Sequence, residues 1–268
     1  MGRETYTSSF EKAPPGMVVL LSMAWRLLLL VLLLVLLLVH PARGASTDQL
    51  TDGFTAVNLS EAQFKMQKPY DVPLADRYEL LAGGVRRMWV FATDEPISTS
   101  HPGGPRTETK TIIKISGVWQ FEGYGYIPCG TSGASVMQIF GAAEHATTLM
   151  LHVYGGRLTY YHHEDDVVVD GNIYDRWFRL NVVHDVAASS VTVFVDGERR
   201  LTVPGRGGDS HYFKFGVYGQ SHNGMSYRME SRWRDVKEQL GMKGEFVLSL
   251  NAADDDRRWL LASGMTTE

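Results

Sequence analysis

Residues 212–220 read YFKFGVYGQ, and strict alternation divides them into two faces of opposite chemistry. Successive side chains of a strand point to opposite sides. Phe213, Phe215 and Val217 therefore face a core, while Tyr212, Lys214, Tyr218 and Gln220 face outward with Gly216 between them. An ordinary half-exposed strand shows water Thr, Ser, Glu or Lys. This one presents two phenols, an ammonium and an amide around a glycine that leaves room, and it reads as the floor of a binding groove.

The same pattern extends outward from this stretch. From Asp52 to about Val236 the chain consists of short alternating or β-rich runs separated by Gly, Pro, Asn and Asp, with almost no helical periodicity. Asp196-Gly197 and Gly155-Gly156 each divide two such runs and read as hairpin turns. Further strands are expected at 55–59, 87–92, 107–115, 118–127, 135–140, 177–184 and 226–235. So many strands at this spacing predict an all-β protein, a two-sheet antiparallel sandwich or jelly roll.

The first 44 residues differ from the rest. Arg26 precedes LLLLVLLLVLLLV, residues 27–39, and His40-Pro41-Ala42-Arg43-Gly44 follows. The apolar run is short of the roughly 20 residues that a spanning helix needs, and Ala42 and Gly44 carry the small side chains of a cleavage site. Residues 1–44 thus read as a signal peptide cut after Gly44, with an uncleaved anchor starting near Val18 as the rival reading. A secretory route to the cell exterior or wall, or to the vacuole, is expected, without a stable membrane span in the mature form. The chain carries a net charge of −4 and this leader +2, so the remaining 224 residues carry −6. That balance argues against a nucleic-acid partner. It also leaves one large domain, 45–236, followed by a poorly ordered tail, 237–268, that contains Asp254-Asp255-Asp256-Arg257-Arg258. Cys129 is the sole cysteine, so no intrachain disulfide forms and stability rests on packing. Asn58-Leu59-Ser60 is the one glycosylation sequon.

Two further strands supply chemistry to the face of Tyr212, Lys214, Tyr218 and Gln220. Arg106, Glu108 and Lys110 share one face against Thr107 and Thr109, and Gln138 and Phe140 share one against Met137 and Ile139. If these strands are neighbours they build a concave surface with a guanidinium fork, an amide, phenols and ammonium groups. Such a set suits a carboxylate ligand, because Arg grips carboxylates through two parallel hydrogen bonds. PRTE at 105–108, QIF at 138–140 and YFKFGVYGQ at 212–220, in this order, resemble the three signature strands of alginate lyase-type polysaccharide lyases. DGFTAVNLSEAQF, SGVWQFEGYGY, NIYDRWFRLNVVHDV and SHYFKFGVYGQ are closer still to the plant citrate-binding proteins, secreted or vacuolar members of that fold.

The resemblance implies a concanavalin-like β-jelly roll. It also implies that Arg106 and Gln138 bind carboxylate and that Tyr218 is the phenol which, in the lyases, acts as acid or as both acid and base in β-elimination of uronate chains. The lyase motif places a histidine where this chain has Phe140. Phenylalanine cannot take a proton, and loss of a general base costs on the order of 10²–10⁴ in rate. Two routes would restore turnover: Tyr218 serving as both base and acid, or His101 reaching in from SHPGGPRTE. Binding of citrate or another polycarboxylate without turnover fits the residues better, with lyase action on an acidic polysaccharide and a wall-polysaccharide-binding lectin-like module as alternatives. None of these readings calls for a metal or cofactor.

Other signals are weaker. His162-His163-Glu164-Asp165-Asp166 has no second ligand run of matching spacing and reads as a polar loop. Gly205-Arg206-Gly207-Gly208 lacks the lysine and helix of a phosphate loop and reads as a turn. Trp119, Phe121, Trp177 and Phe178 are split by alternation between core and surface, and Cys129 reads as an inert loop residue.

Overall fold

The Asp196-Gly197 turn predicted between two hairpin strands is present, with φ of 53° and 87° at its two residues. Positive φ at both central positions matches the twist of the flanking strands, which is why Asp-Gly is favoured there. The computed structural model describes residues 50–100, 103–111, 113–114, 116–141, 147–160, 167–208, 210–220, 224–241 and 248–249. The leader at 1–44, His101, the 162–166 cluster, and 242–247 and 250–268 of the tail lie outside the described residues.

In chain order the strands are β1 (Phe54–Val57), β2 (Lys65–Gln67), β3 (Tyr78–Leu81), β4 (Val85–Phe91), β5 (Arg106–Lys110), β6 (Ile113–Lys114), β7 (Val118–Tyr126), β8 (Ala134–Phe140) and β9 (Thr147–Tyr154). They continue with β10 (Arg157–Tyr160), β11 (Val167–Asp170), β12 (Trp177–Asp185), β13 (Ser190–Val195), β14 (Glu198–Pro204), β15 (Tyr212–Gly219), β16 (Arg228–Gly241) and β17 (Leu248–Ser249). Two large antiparallel sheets result, with β6 and β17 paired in a separate two-stranded one. One runs β14-β13-β12-β7-β16-β4-β3, with β1 pairing the far half of β16; the other runs β11-β10-β9-β8-β15-β5-β2. This is the jelly roll expected from the strand spacing. Among the described residues no helix is long and apolar enough to cross a membrane.

The core lies between the sheets and is knotted together by aromatic rings. Phe213 and Phe215 of β15 meet Phe121 of β7 at 5.8 and 5.7 Å between ring centroids, and Trp233 of β16 meets Phe215 at 5.7 Å and Phe178 of β12 at 6.2 Å. Burying each of these rings contributes on the order of 2–3 kcal/mol from apolar area alone. Gly125 opposes this packing with no side chain, and a Cβ there would stand 2.7 Å from the Phe178 ring.

The tail was expected to begin at 237, yet β16 continues to Gly241, paired on one side with β7 and on the other with β1. The cause is a bulge between Arg234 and Lys237, with Asp235 at φ 52°. Before it Met229 and Trp233 point into the core; after it Val236 and Leu240 pack there, so the parity of the alternation flips. A one-residue slip moves every later side chain to the other face.

Candidate functional site

The three motif strands are adjacent in the seven-stranded sheet: β8, β15 and β5, in that order. Register places Tyr218 beside Arg106 on one side and Ser135 on the other, Lys214 between Lys110 and Gln138, and Tyr212 beside Phe140. Phe213, Phe215 and Val217 point into the core with no exposed surface, as the alternation required. The opposite, outward face therefore collects the predicted site residues.

Their arrangement is a cluster built around one carboxylate. Glu108 Oε1 accepts from Arg106 Nη1 at 3.2 Å and lies 2.5 Å from Lys214 Nζ, while Gln138 Nε2 donates to Glu108 Oε2 at 2.6 Å. All four side chains are buried, Lys214 to 2% residual exposure. Lys214 was expected as an open ammonium on the groove floor, and the structure puts it beneath that floor. Burial pushes its ammonium from 10.5 to about 8, opposed by the Glu108 charge and reinforced by Arg106 and Lys110. A buried ion pair of this kind holds geometry more than it adds stability.

Gly216 makes the cluster possible. It lies directly opposite Glu108, at φ 140°, and a Cβ there would stand 2.5 Å from both Glu108 Cα and Thr107 O. Only a glycine lets β5 approach this closely.

Phe140 and Tyr218 border the buried cluster as half-buried residues, whereas Tyr212, expected as an open phenol, is buried with 5% exposure. The Arg106 guanidinium lies over the Tyr218 ring, Cζ 3.6 Å from the centroid. Phe140 stacks on Tyr212 at 4.9 Å and 16°, with Lys214 Nζ 5.7 Å from the Phe140 ring and Lys110 Nζ 5.2 Å from the Tyr212 ring. Gln220 lies one residue past the end of β15, and its side-chain amide donates to the Tyr218 carbonyl, two residues back, at 3.0 Å. Asn58 is exposed, one residue beyond β1.

Three residues on this face have no place in the sequence-predicted site: Thr159, His152 and Ser135. His152 of β9 pairs with Ser135 of β8 and with Thr159 of β10, so register draws a row Thr159–His152–Ser135–Tyr218–Arg106 across five strands. The signal was present: Leu149, Leu151 and Val153 alternate with His152 and Tyr154 in the predicted strand. Of the four aromatics split by alternation, Trp119, Phe121 and Phe178 are core, and Trp177 alone is exposed, at 36%.

A two-sheet jelly roll carrying Arg, Gln and Tyr together on one outward sheet face defines the polysaccharide-lyase class of β-sandwich. The chain belongs to the alginate lyase family, whose sequence pattern matches residues 57–239. It is similar to the citrate-binding protein of Hevea brasiliensis, 49% identical over 191 residues that cover 70% of this chain and 77% of that protein. Solved alginate lyases share the fold: the Pseudomonas aeruginosa enzyme at TM-score 0.53 and 14% identity, covering 68% of this chain and all of its own. The Corynebacterium sp. enzyme matches at TM-score 0.52 and 13% identity, covering 62% of this chain and 82% of its own.

Proposed function

We propose that this protein binds citrate or a related polycarboxylate on the outward face of β5, β8 and β15 and does not turn it over. One observation carries the reading: Phe140, stacked on Tyr212, fills the position where the lyase motif has a histidine. The remaining groups favour carboxylates, since Arg106 offers a guanidinium over the Tyr218 ring, with Gln138 and Lys110 beside it. Glu108 and Lys214 support from below. They hold Arg106 and Gln138 in place through the shared Glu108 carboxylate. The similarity to the Hevea citrate-binding protein supports the same ligand class. The basic and apolar leader at 1–44 supports delivery through the secretory pathway to the cell exterior or the vacuole, with Asn58 glycosylated on the way. Sequencing the N-terminus of the mature protein, with Ala45 first, tests the route.

The second reading is a polyuronate lyase, favoured by the contact between Arg106 and the Tyr218 phenol. In that chemistry the guanidinium neutralises a uronate carboxylate so that the ring proton becomes acidic, and the phenol exchanges protons with the sugar. Calorimetry with citrate, run beside a polyuronate assay that follows the ultraviolet absorbance of unsaturated product, separates the two. Citrate heat without product supports the first. Product that disappears in Tyr218→Phe overturns it.

A further inference from the structure

The eight-stranded sheet turns its own outward face to solvent on the opposite side of the sandwich, and that face carries a ladder of arginines and aromatic rings. Along β16 the core positions Met229, Ser231 and Trp233 alternate with outward Arg228, Glu230, Arg232 and Arg234. Arg87 and Trp89 of β4 flank this row on one side. Tyr124 and Tyr126 of β7 flank it on the other, with Trp177 of β12 beyond Tyr126.

Glu230 is the foundation of the ladder. It is buried under three guanidinium groups: Arg87 Nε at 3.0 Å, Arg232 Nε at 2.7 Å and Arg228 Nη2 at 2.5 Å. Burial alone would raise its carboxyl, but the hydrogen bonds from Arg87 and Arg232 and the charge of Arg228 hold it below the usual range. It stays ionised and fixes the three arginines in place.

The arginines are also spread over rings. Arg232 Cζ lies 5.1 Å from the Tyr126 ring, Arg234 Cζ lies 4.8 Å from both Tyr124 and Trp177, and Arg87 and Arg228 lie 5.2 and 5.8 Å from Trp89. Tyr126 and Trp177 themselves meet at 5.5 Å.

Donor accounting then points to the ligand. Arg228, Arg232 and Arg234 each give one nitrogen to a carboxylate among the described residues, and their side chains remain 39%, 33% and 37% exposed. A guanidinium has five N–H donors, so each has donors beyond the one given to Glu230 or Asp235. From Arg228 to Arg234 the row is about 20 Å long at the rise of a strand. That length exceeds what a single small acid needs and suits a chain of sugars. Exposed Trp177 and the Tyr126 ring set among guanidinium groups match a polymer that offers sugar faces and carboxylates in regular succession.

We infer that the Arg228–Arg232–Arg234 ladder, with Trp177 and Tyr126, is a second binding site that holds an acidic polysaccharide of the polyuronate class. It stands on the sheet opposite Arg106 and does not depend on what that first face binds. Its task is adhesion, and the Tyr126 phenol donates to Asp175 Oδ1 at 3.2 Å.

The probe is an unbranched polygalacturonate oligomer, with an uncharged glucan oligomer of equal length as control. Binding is read by tryptophan fluorescence and calorimetry in wild type, Arg232→Gln/Arg234→Gln, Trp177→Ala, and Arg106→Ala. The expected result is that the double arginine variant binds polygalacturonate about tenfold more weakly or worse and that Trp177→Ala loses most of the fluorescence change. Arg106→Ala keeps the ladder's binding, and the glucan binds none of them. The paired glutamines keep a polar group on an unbranched stem while removing the charge, and unfolding midpoints within about 3 °C of wild type exclude a folding defect. Unchanged affinity in the double variant, equal binding of the neutral glucan, or loss of all binding in Arg106→Ala alone would each overturn the second site.

Discussion

Arg106 lies over the ring of Tyr218, its Cζ 3.6 Å from the centroid, while its Nη1 donates to Glu108. One arginine thus joins the buried cluster to the half-buried phenol, and the fork that faces the ligand is aimed from two directions. Arg106→Ala removes both the charge and the support of Tyr218. A hydrogen bond to a charged group contributes about 1.5–3 kcal/mol, so citrate affinity is expected to fall roughly ten- to hundredfold. Arg106→Lys keeps the charge but not the planar fork and should recover part of that loss. Titration calorimetry measures both, and equal affinity in all three proteins removes Arg106 from the ligand.

Phe140→His puts an imidazole where the lyase pattern has one, between the Tyr212 ring and the Lys214 ammonium. The variant gives up a stacked pair worth about 0.5–1.5 kcal/mol, and a small drop in unfolding midpoint is the expected cost. If the face kept the shape of lyase machinery, this change brings elimination of polyuronates up from none to a measurable rate. Adding Tyr218→Phe to it should abolish that rate. Failure of Phe140→His to yield product, with the fold intact, means that more than one group has been lost.

Lys214 gives the face a pH dependence with two opposite signs. In the folded protein its ammonium is pushed down to about 8 by burial, against an ordinary 10.5. Between those values the unfolded chain holds the proton and the folded chain does not. Stability therefore rises with pH from about 8 toward about 10, up to the order of 3 kcal/mol for a shift of this size. Affinity for an anion moves the other way, because the floor loses a positive charge as pH passes 8; a fall of roughly threefold or more is expected. Unfolding and citrate titrations at neutral and alkaline pH test both trends, and Lys214→Met should flatten both. A shared direction for the two curves would show that Lys214 is not the group responsible.

The strands legible in the sequence were those whose own alternation marks a core face, and three of those missed share a position. β3, β2 and β11 are all edge strands, at the ends of the two sheets. Short segments such as YELL, KMQ and VVVD are held by the register of a single neighbour, and little in their own pattern announces it. The site was legible as a set of residues, because three alternations agreed in facing. Its depth was not. Alternation says that Lys214 and Glu108 share a side with Tyr218, but whether they lie on the surface or under it depends on the adjacent strands. It was Gly216, read only as leaving room, that let Glu108 come close enough to bury both. Likewise the flip of parity at Asp235 is a backbone event with no composition signature, so β16 was cut short by the sequence reading.

Gly216→Ala tests the geometry on which the whole face rests. The added Cβ would meet Glu108 Cα and Thr107 O at 2.5 Å, both on the backbone of β5, where no flexible side chain can yield. β5 and β15 must move apart, and the contact between Lys214 and Glu108 lengthens with them. The φ of 140° adds strain that an L-residue does not relieve. Gly53→Ala provides the comparison: it also sits at positive φ, 81°, but has nothing within 4 Å of its Cβ. Gly53→Ala is expected to cost about 1 kcal/mol, the strain alone, and to leave citrate affinity as it was. Gly216→Ala should cost about 3 kcal/mol or more through strain and backbone clash together, lowering the urea midpoint clearly and weakening citrate binding by about tenfold. Equal midpoints for the two variants would mean that β5 is not held against β15 by this contact and that the buried cluster is positioned from elsewhere.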